Sequence, residues 1–356
     1  MILVVSNMYP SEKYPNYGVF VKNFYEQLSS SEKADIIYLK KTPNMVVKII
    51  NYIVFYIKIF KNYTFGKYDL IYVHYAGYNA PPILFGNLFN KRTKLIVNVH
   101  GSDVTPEKKL EEKTNFFTKY LIDIADLVVV PSKYFEEVVI EKYGKSVPIW
   151  ISPSAGIDFN IFNDRKNKRK NEFFTIGYVS RIDKEKGWDT LLYALQQLVH
   201  RNHDLKLIMV GDGAQNKEAL DLIKKLNLEE YVEKYNCLTQ IELVEIYSKI
   251  DVFIFPSTRA GESLGLVGLE SMACGTPVIG SKLGGIQTYL EDGKNGYFVR
   301  PGNQKDIEEK IEKYRKLSDK EKNRLSQYAI ETAKKYDSKI VNQRLIKKIS
   351  EISIER

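Results

Sequence analysis

Two carboxylates eight residues apart, Glu262 and Glu270, frame the stretch Glu-Ser-Leu-Gly-Leu-Val-Gly-Leu-Glu. Apolar runs flank it, at 252–255 and again at 277–279. Short apolar runs closed by turn residues read as buried parallel strands, and the segment between them then reads as a helix over about 264–275. A helix start offers free N–H groups and the positive end of a dipole, which suits phosphate. Ser263, Leu264, Gly265 and Leu266 supply that start, and Gly265 lets an anion approach the backbone. Glu270 lies roughly 6–9 Å deeper, at 1.5 Å per residue. A ribose attached to a diphosphate would reach that depth, so Glu270 is expected to accept both ribose hydroxyls. Glu262, at the mouth, is expected to meet whatever the diphosphate carries on its other side. Arg181 and Lys186 flank a second loop, after the apolar run 175–180. Arg gives a two-pronged contact and Lys a point charge, and both could clamp a diphosphate. There is no Asp-x-Asp ligand pair, so neither a metal nor any other cofactor is expected.

These residues need strand ends to hold them. The chain has 356 residues, which favours two domains. In the first half, strands are expected at 2–6, 35–39, 69–74, 94–100, 126–130 and 148–151, with helices at 19–28 and 45–60. Gly156-Ile157-Asp158 opens a linker, and the basic run 165–170 suits a hinge, which divides the chain into 1–165 and 166–337. The second half repeats the alternation, with strands at 175–180, 205–210, 231–236, 251–255 and 295–299, a helix at 188–199 and a charged helical end from 307. Alternating strands and helices predict α/β, doubly wound units, which bind ligands outside the carboxyl ends of their strands. Three further groups fall at such ends. Gly18 is either a tight turn or a backbone position near a ligand. His100, followed by Gly101, is either structural or part of a site. Asp103 either contacts an acceptor or caps the next helix. Gly211-Asp212-Gly213 lacks the third glycine of a dinucleotide fingerprint.

With Phe255-Pro256-Ser257 before it and Met272-Ala273-Cys274-Gly275-Thr276-Pro277-Val278-Ile279 after it, the central phrase resembles the Glu-x7-Glu motif of the retaining glycosyltransferases of family 4. Those enzymes have the GT-B fold, two Rossmann-like domains facing a cleft. The resemblance covers nearly the whole chain and is most specific from 175 to 299. It implies that Arg181-x4-Lys186-Gly187 is a phosphate site and that Gly211 borders the nucleotide. Leu238 falls where the base is contacted, and His100-Gly101 falls beside the donor sugar. Gly18 belongs to a Pro-x-x-Gly-x-Phe variant of a loop that often carries two glycines. Asn236 replaces a glycine of many relatives, which leaves the choice between a UDP- and a GDP-sugar open. The last helix, about 338–356, is expected to cross back onto the first domain. The implied reaction moves a sugar from a nucleotide-diphosphate sugar to a glycan or lipid-linked acceptor with retention, in cell-surface polysaccharide assembly. The departing phosphate takes the acceptor proton on the front face, and Glu262 orients the sugar rather than attacking it. Two alternatives share the fold. A nucleotide-sugar epimerase is one. A non-catalytic nucleotide-sugar-binding subunit is the other, and it would keep Glu270 without needing Glu262, His100 and Arg181 together.

Net charge is +9, and it is uneven: residues 40–67 hold six lysines and no acid. The apolar segment 45–60 carries Lys48 and Lys58, with Lys61 just beyond, among Tyr52, Phe55, Tyr56, Phe60 and Tyr63. Such a segment suits an interfacial helix, with lysines on lipid phosphates and aromatics at headgroup depth, so an anionic membrane is a candidate partner. An ordinary amphipathic helix with a solvated lysine face is the alternative. No motif for reading nucleic acid is present, and none is expected as a partner. No apolar span reaches 18 residues. Cys237 and Cys274 make no disulfide framework and fit a reducing compartment, and the start reads as a strand rather than a leader. The expected location is cytoplasmic, with peripheral attachment to the inner face of the membrane as the second element of that reading.

Overall fold

The computed structural model describes residues 1–14, 17–90, 93–106, 109–145, 147–163, 172–201 and 204–354, with backbone alone for 109–111. The expected hinge at 165–170, the division at 165/166 and Pro15 lie outside these residues. The chain divides into two compact units, Met1–Ala155 with Lys339–Arg356, and Gly156–Ser338.

The first unit runs β1 (Ile2–Ser6), α1 (Val19–Ser31), β2 (Ala34–Tyr38), α2 (Met45–Phe65), β3 (Leu70–His74), α3 (Ala76–Asn87), β4 (Lys94–Asn98), α4 (Lys109–Asp123), β5 (Leu127–Val130), α5 (Lys133–Tyr143) and β6 (Ile149–Ile151). Its six strands lie parallel in the order β2-β1-β3-β4-β5-β6. Successive strand residues alternate between two buried faces, which is why the strands read as unbroken apolar runs. Leu3, Val5, Ile71 and Val73 face a core closed by α2, α3 and α5. Ile2, Val4, Leu70 and Tyr72 face the other side, against Phe24 and Leu28 of α1 and Leu345, Ile349 and Ile352. Those last three belong to the C-terminal helix (Ser338–Ile354), so the end of the chain completes the first unit.

The second unit runs β7 (Phe174–Val179), α6 (Trp188–Arg201), β8 (Leu205–Val210), α7 (Asn216–Lys225), β9 (Val232–Tyr235), α8 (Gln240–Lys249), β10 (Val252–Phe255), α9 (Leu266–Ala273), β11 (Val278–Ser281), a 3-10 turn (Gly284–Thr288), β12 (Gly296–Val299), α10 (Gln304–Arg315) and α11 (Asp319–Lys334); the C-terminal helix is α12. Its parallel sheet has the order β12-β11-β10-β7-β8-β9. The order therefore reverses between β7 and β10, as it does between β1 and β3 in the first unit. Open α/β sheets bind ligands at these reversal points. Residues 156–158, read as a linker, are pinned instead: Ile157 is buried, receives the N–H of Ser338 at 2.8 Å and donates to Tyr336 O at 2.9 Å. Helix α2 continues five residues past its expected end at 60, to Phe65.

Candidate active site

In the second unit, the loop after β7 and the loop after β10 are knitted together. The amide of Thr258 and the hydroxyl of Ser257 both donate to Glu185 O, at 2.8 and 3.2 Å. Glu185 holds φ 67, a left-handed conformation that a side-chain-bearing residue adopts at a cost of about 1–3 kcal/mol. Gly187 follows at φ 71, where a Cβ would stand 2.1 Å from Pro256 O, so only glycine fits. The clasp aims Lys186 inward. Its Nζ donates to Glu262 Oε2 at 2.6 Å; Ser257 Oγ lies 3.2 Å from the same oxygen, so its single proton is shared between that carboxylate and Glu185 O. The two side chains are only 8% and 15% exposed, so this ion pair is shielded from solvent. Lys186 and Glu262, assigned separate duties from sequence, are in direct contact here. Arg181 is placed differently: its side chain is 64% exposed and pairs with Asp183 at 2.7 Å.

A third loop, after β11, fixes the backbone of Glu262. Gly285 donates to Glu262 O at 2.9 Å, and a Cβ on Gly285 would lie 2.0 Å from Ser263 O. Leu264 is fully buried beneath, Gly265 (φ 74) is the N-cap of α9, and Leu266 is its first residue. Tyr289 donates its hydroxyl to Gly265 O at 2.8 Å, which holds the helix start in place. One turn along, Glu270 accepts a hydrogen bond from Tyr247 at 3.1 Å. Burial of its carboxyl raises its pKa to about 7, against the opposing pull of the Tyr247 hydroxyl. On the other side, Gly211 packs over Ser180 O, and Lys234 Nζ donates to Gly211 O at 2.5 Å. Leu238 is half-buried against the same core as α9. The reversal point of this sheet thus gathers Lys186, Glu262 and the α9 start, with Glu270 further in.

In the first unit, Gly18 (φ 76) is the N-cap of α1. His100 lies beyond β4 and meets a residue that the sequence did not single out: His74, the last residue of β3. Their rings stack, with His74 Nδ1 3.0 Å from His100 Nε2. Desolvation lowers both pKa values, that of His100 to about 3. Tyr75, at φ 64, stacks on His100 at 4.5 Å between ring centres. A space of only about 10 Å³, room for about one water, adjoins the pair, lined among others by Phe20, Ser154 and Asn342. Asp103 is buried. Its carboxylate accepts the N–H groups of Ala76, His100 and Gly101 at 3.1, 2.9 and 3.0 Å, and burial raises its pKa to about 6. Asp103 thus clamps the backbone of the corner carrying His74 and His100, and the helix amide it receives is that of Ala76 at the start of α3, not one of the next helix, α4. Only four histidines occur in the chain, and two of them end adjacent apolar runs; that was the available signal for His74.

Two parallel six-stranded sheets with flanking helices, each reversing its strand order once, define the GT-B fold. The comparisons agree. Residues 160–332 match the glycosyl transferases group 1 family, and residues 6–154 match Glycosyltransferase Family 4. The chain belongs with the GT-B glycosyltransferases of the family 4 type. It is 26% identical over 329 residues to an uncharacterized glycosyltransferase of Methanocaldococcus jannaschii, covering 87% of this chain and 88% of that one. It is 28% identical over 269 residues to a D-inositol 3-phosphate glycosyltransferase of Corynebacterium aurimucosum, covering 69% of this chain and 63% of that one. The fold matches Anabaena HepE, solved in complex with UDP, with a TM-score of 0.79 at 20% identity, over 98% of this chain and 99% of that chain.

Proposed function

We propose that this glycosyltransferase moves a sugar, with retention, from a nucleotide-diphosphate sugar to a glycan or lipid-linked acceptor in cell-surface polysaccharide assembly. The observation that carries the reading is the shielded Lys186–Glu262 pair set at the start of α9, with Glu270 one turn deeper. A diphosphate seated on the α9 amides puts its ribose at Glu270 and its sugar at Glu262. Arg181 and Lys186 then meet the charge that develops as the bond from the anomeric carbon to phosphate breaks. The electron pair of that bond leaves with the phosphate. The acceptor oxygen bonds the anomeric carbon on the same face, and its proton passes to the phosphate. Lys186 bridges carboxylate and phosphate, so it orients Glu262 while stabilising the leaving group. Gly211 and Leu238 border the base. His100 contacts the transferred sugar as a neutral ring, and Asp103 acts through it as a positioning residue.

The UDP held by HepE supports a uridine donor. No metal takes part in this scheme, because Arg181, Lys186 and the helix start do a metal's work. We place the protein in the cytoplasm, peripheral on the inner face of the membrane; Cys237 and Cys274, which do not pair with each other, fit a reducing compartment. Incubation with a panel of UDP- and GDP-sugars, with and without a phospholipid-linked glycan, tests the assignment. Release of free nucleotide with one donor, stimulated by acceptor, is expected. No release with any donor overturns the transferase reading in favour of a binding subunit.

A further inference from the structure

Helix α12 buries an asparagine where a leucine would serve the core better. Asn342 lies one turn into the helix, on the face that carries Val341 and Leu345, and is 1% exposed. Neither polar atom of its amide has a hydrogen-bond partner among the described residues. Asn is also a weaker helix former than Leu. A buried polar group without a partner is costly, and a native protein that keeps one calls for a reason.

The reason lies across a gap. Asn342 and His74 line the same small space, which has room for about one water. His74 is buried too, and its Nε2 likewise has no partner among the described residues. A single water between the two would satisfy both, since a buried water makes about three hydrogen bonds. The rest of the His74 ring is committed. Phe24 and Tyr72 pack edge-on against it, at 5.2 and 5.0 Å between ring centres. Asn79 donates to His74 O and Tyr75 O at 2.7 and 2.8 Å, which pins the corner. His74 Nδ1 meets His100 Nε2 at 3.0 Å. Burial keeps both rings neutral, so one proton lies between these two nitrogens. The rings are then locked together: both carry their proton on Nε2, or both carry it on Nδ1. Neutral histidine intrinsically favours Nε2, the nitrogen farther from the side-chain attachment. Only the first arrangement gives both rings their favoured form.

We propose that His74 and Asn342 are positioning residues for His100. His100 Nε2–H donates to His74 Nδ1, and His74 Nε2–H donates through one water to Asn342 Oδ1. His100 Nδ1 is thereby left bare. With Nε2 occupied, Nδ1 is the nitrogen that His100 has left for a ligand, and a sugar hydroxyl donates to it. The inference rests on the reading that His100 contacts the transferred sugar. It makes the C-terminal helix a contributor to that contact.

The test uses the full chain labelled with nitrogen-15 in histidine. Two-bond proton–nitrogen correlation separates a bare ring nitrogen from a protonated one. The chain has four histidines, so substitution of His200 and His203 isolates the pair. His74 and His100 should each show a protonated Nε2 and a bare Nδ1. Protons on Nδ1 of both rings, or an even mixture, overturn the proposal. Asn342→Leu should be at least as stable as wild type, because an apolar group of similar size replaces an unpartnered polar one. Its His100 should nevertheless lose the single proton pattern, and nucleotide release should fall roughly three- to tenfold, the worth of one hydrogen bond. Asn342→Ser still anchors a water and should keep the wild-type spectrum and rate. His74→Leu should be impaired like Asn342→Leu. His74→Asn should recover much of the rate, because its Oδ1 stands where Nδ1 stood. Asn342→Leu with the wild-type spectrum and rate overturns the proposal. So does a slow Asn342→Leu that is destabilised with no change at His100, which makes the role structural. The transferase reading fails separately: no release by wild type with any donor sinks the sugar contact, while the ring arrangement stands or falls on the spectrum.

Discussion

Lys186 and Glu262 are each other's nearest charge in a shielded site, and this sets what substitution does. Removing one partner strands the other, at a cost of about 3–5 kcal/mol for a buried pair. Lys186→Met and Glu262→Met should each lower stability by up to about that much. The double variant should be more stable than either single one, which denaturant unfolding of the three proteins would reveal; additive losses would mean the pair is not coupled. Arg181 is exposed and free of this complication, so Arg181→Ala tests the clamp with the fold intact. Turnover should fall roughly 30- to 1,000-fold, equivalent to about 2–4 kcal/mol of transition-state stabilisation. Unchanged turnover would remove Arg181 from the phosphate. Glu270 carries a pH signature. Its folded pKa of about 7 exceeds the ordinary value of 4.5, so between those values the folded state holds the extra proton. Stability of the nucleotide-free protein should therefore fall as pH rises from about 4.5 to about 7, and Glu270→Gln should flatten the curve. Ribose hydroxyls donate to the ionised form. The affinity of wild type for UDP, taken as a ratio to Glu270→Gln, should rise over the same window; the ratio cancels the ionisation of the diphosphate. A ratio independent of pH would place Glu270 away from the ribose. His100, held neutral by burial, should leave no break in the rate profile near pH 6.5.

At the scale of elements, loops after consecutive strands lock one another, and glycines permit the closest approaches. Gly285→Ala would drive a Cβ to within 2.0 Å of Ser263 O and displace the loop that carries Glu262. A loss of about 2 kcal/mol in unfolding free energy and a weakened affinity for UDP are expected; calorimetry on the folded variant separates the two. An affinity equal to wild type would show that this loop does not set the donor site. The same elements show what a sequence can and cannot disclose. The strands were legible because both faces of each sheet are buried, leaving runs such as Leu70–Val73 and Val252–Phe255 without polar interruption. Arg181, Lys186 and Glu262 stood out because they lie in loops that follow such runs, and Glu270 because a carboxylate interrupts an apolar helix. His74 was not, since its partner is 26 residues away and the contact exists only once β3 and β4 pair. The cluster of Phe60, Phe65, Phe85 and Phe89 was hidden for the same reason: Phe85 of α3, and Phe89 just beyond that helix, reach Phe60 only when α3 packs on α2. The apolar character of the α2 segment was legible in its composition; which of its residues stay exposed was not. The reach of α2 to Phe65 follows from the same pattern, because Tyr63 continues the buried stripe one turn beyond residue 60.

For the whole molecule, the scheme predicts activity undiminished in excess EDTA, since fixed cations and helix amides take the leaving charge. Complete loss, rescued by manganese or magnesium, would move that charge onto a metal. Helix α12 offers a second test. Leu345→Ala and Ile349→Ala each remove a buried side chain from one face of the first sheet and should cost about 2–5 kcal/mol. Trp150 borders that face, so in a Trp188→Phe background its fluorescence reports on the first unit alone. An unchanged transition would mean α12 is dispensable to that unit. The placement of α12 also sets an order of events during synthesis. The ribosome makes the sheet, α1 and α2 first, then the entire second unit, and only then the helix that covers Ile2, Val4 and Tyr72. At about 5–20 residues per second, the first unit waits on the order of ten to forty seconds with that face open. During this interval the nascent chain is a natural client for a chaperone, and a chain stalled before residue 339 should be captured by one, whereas the released full-length chain should not.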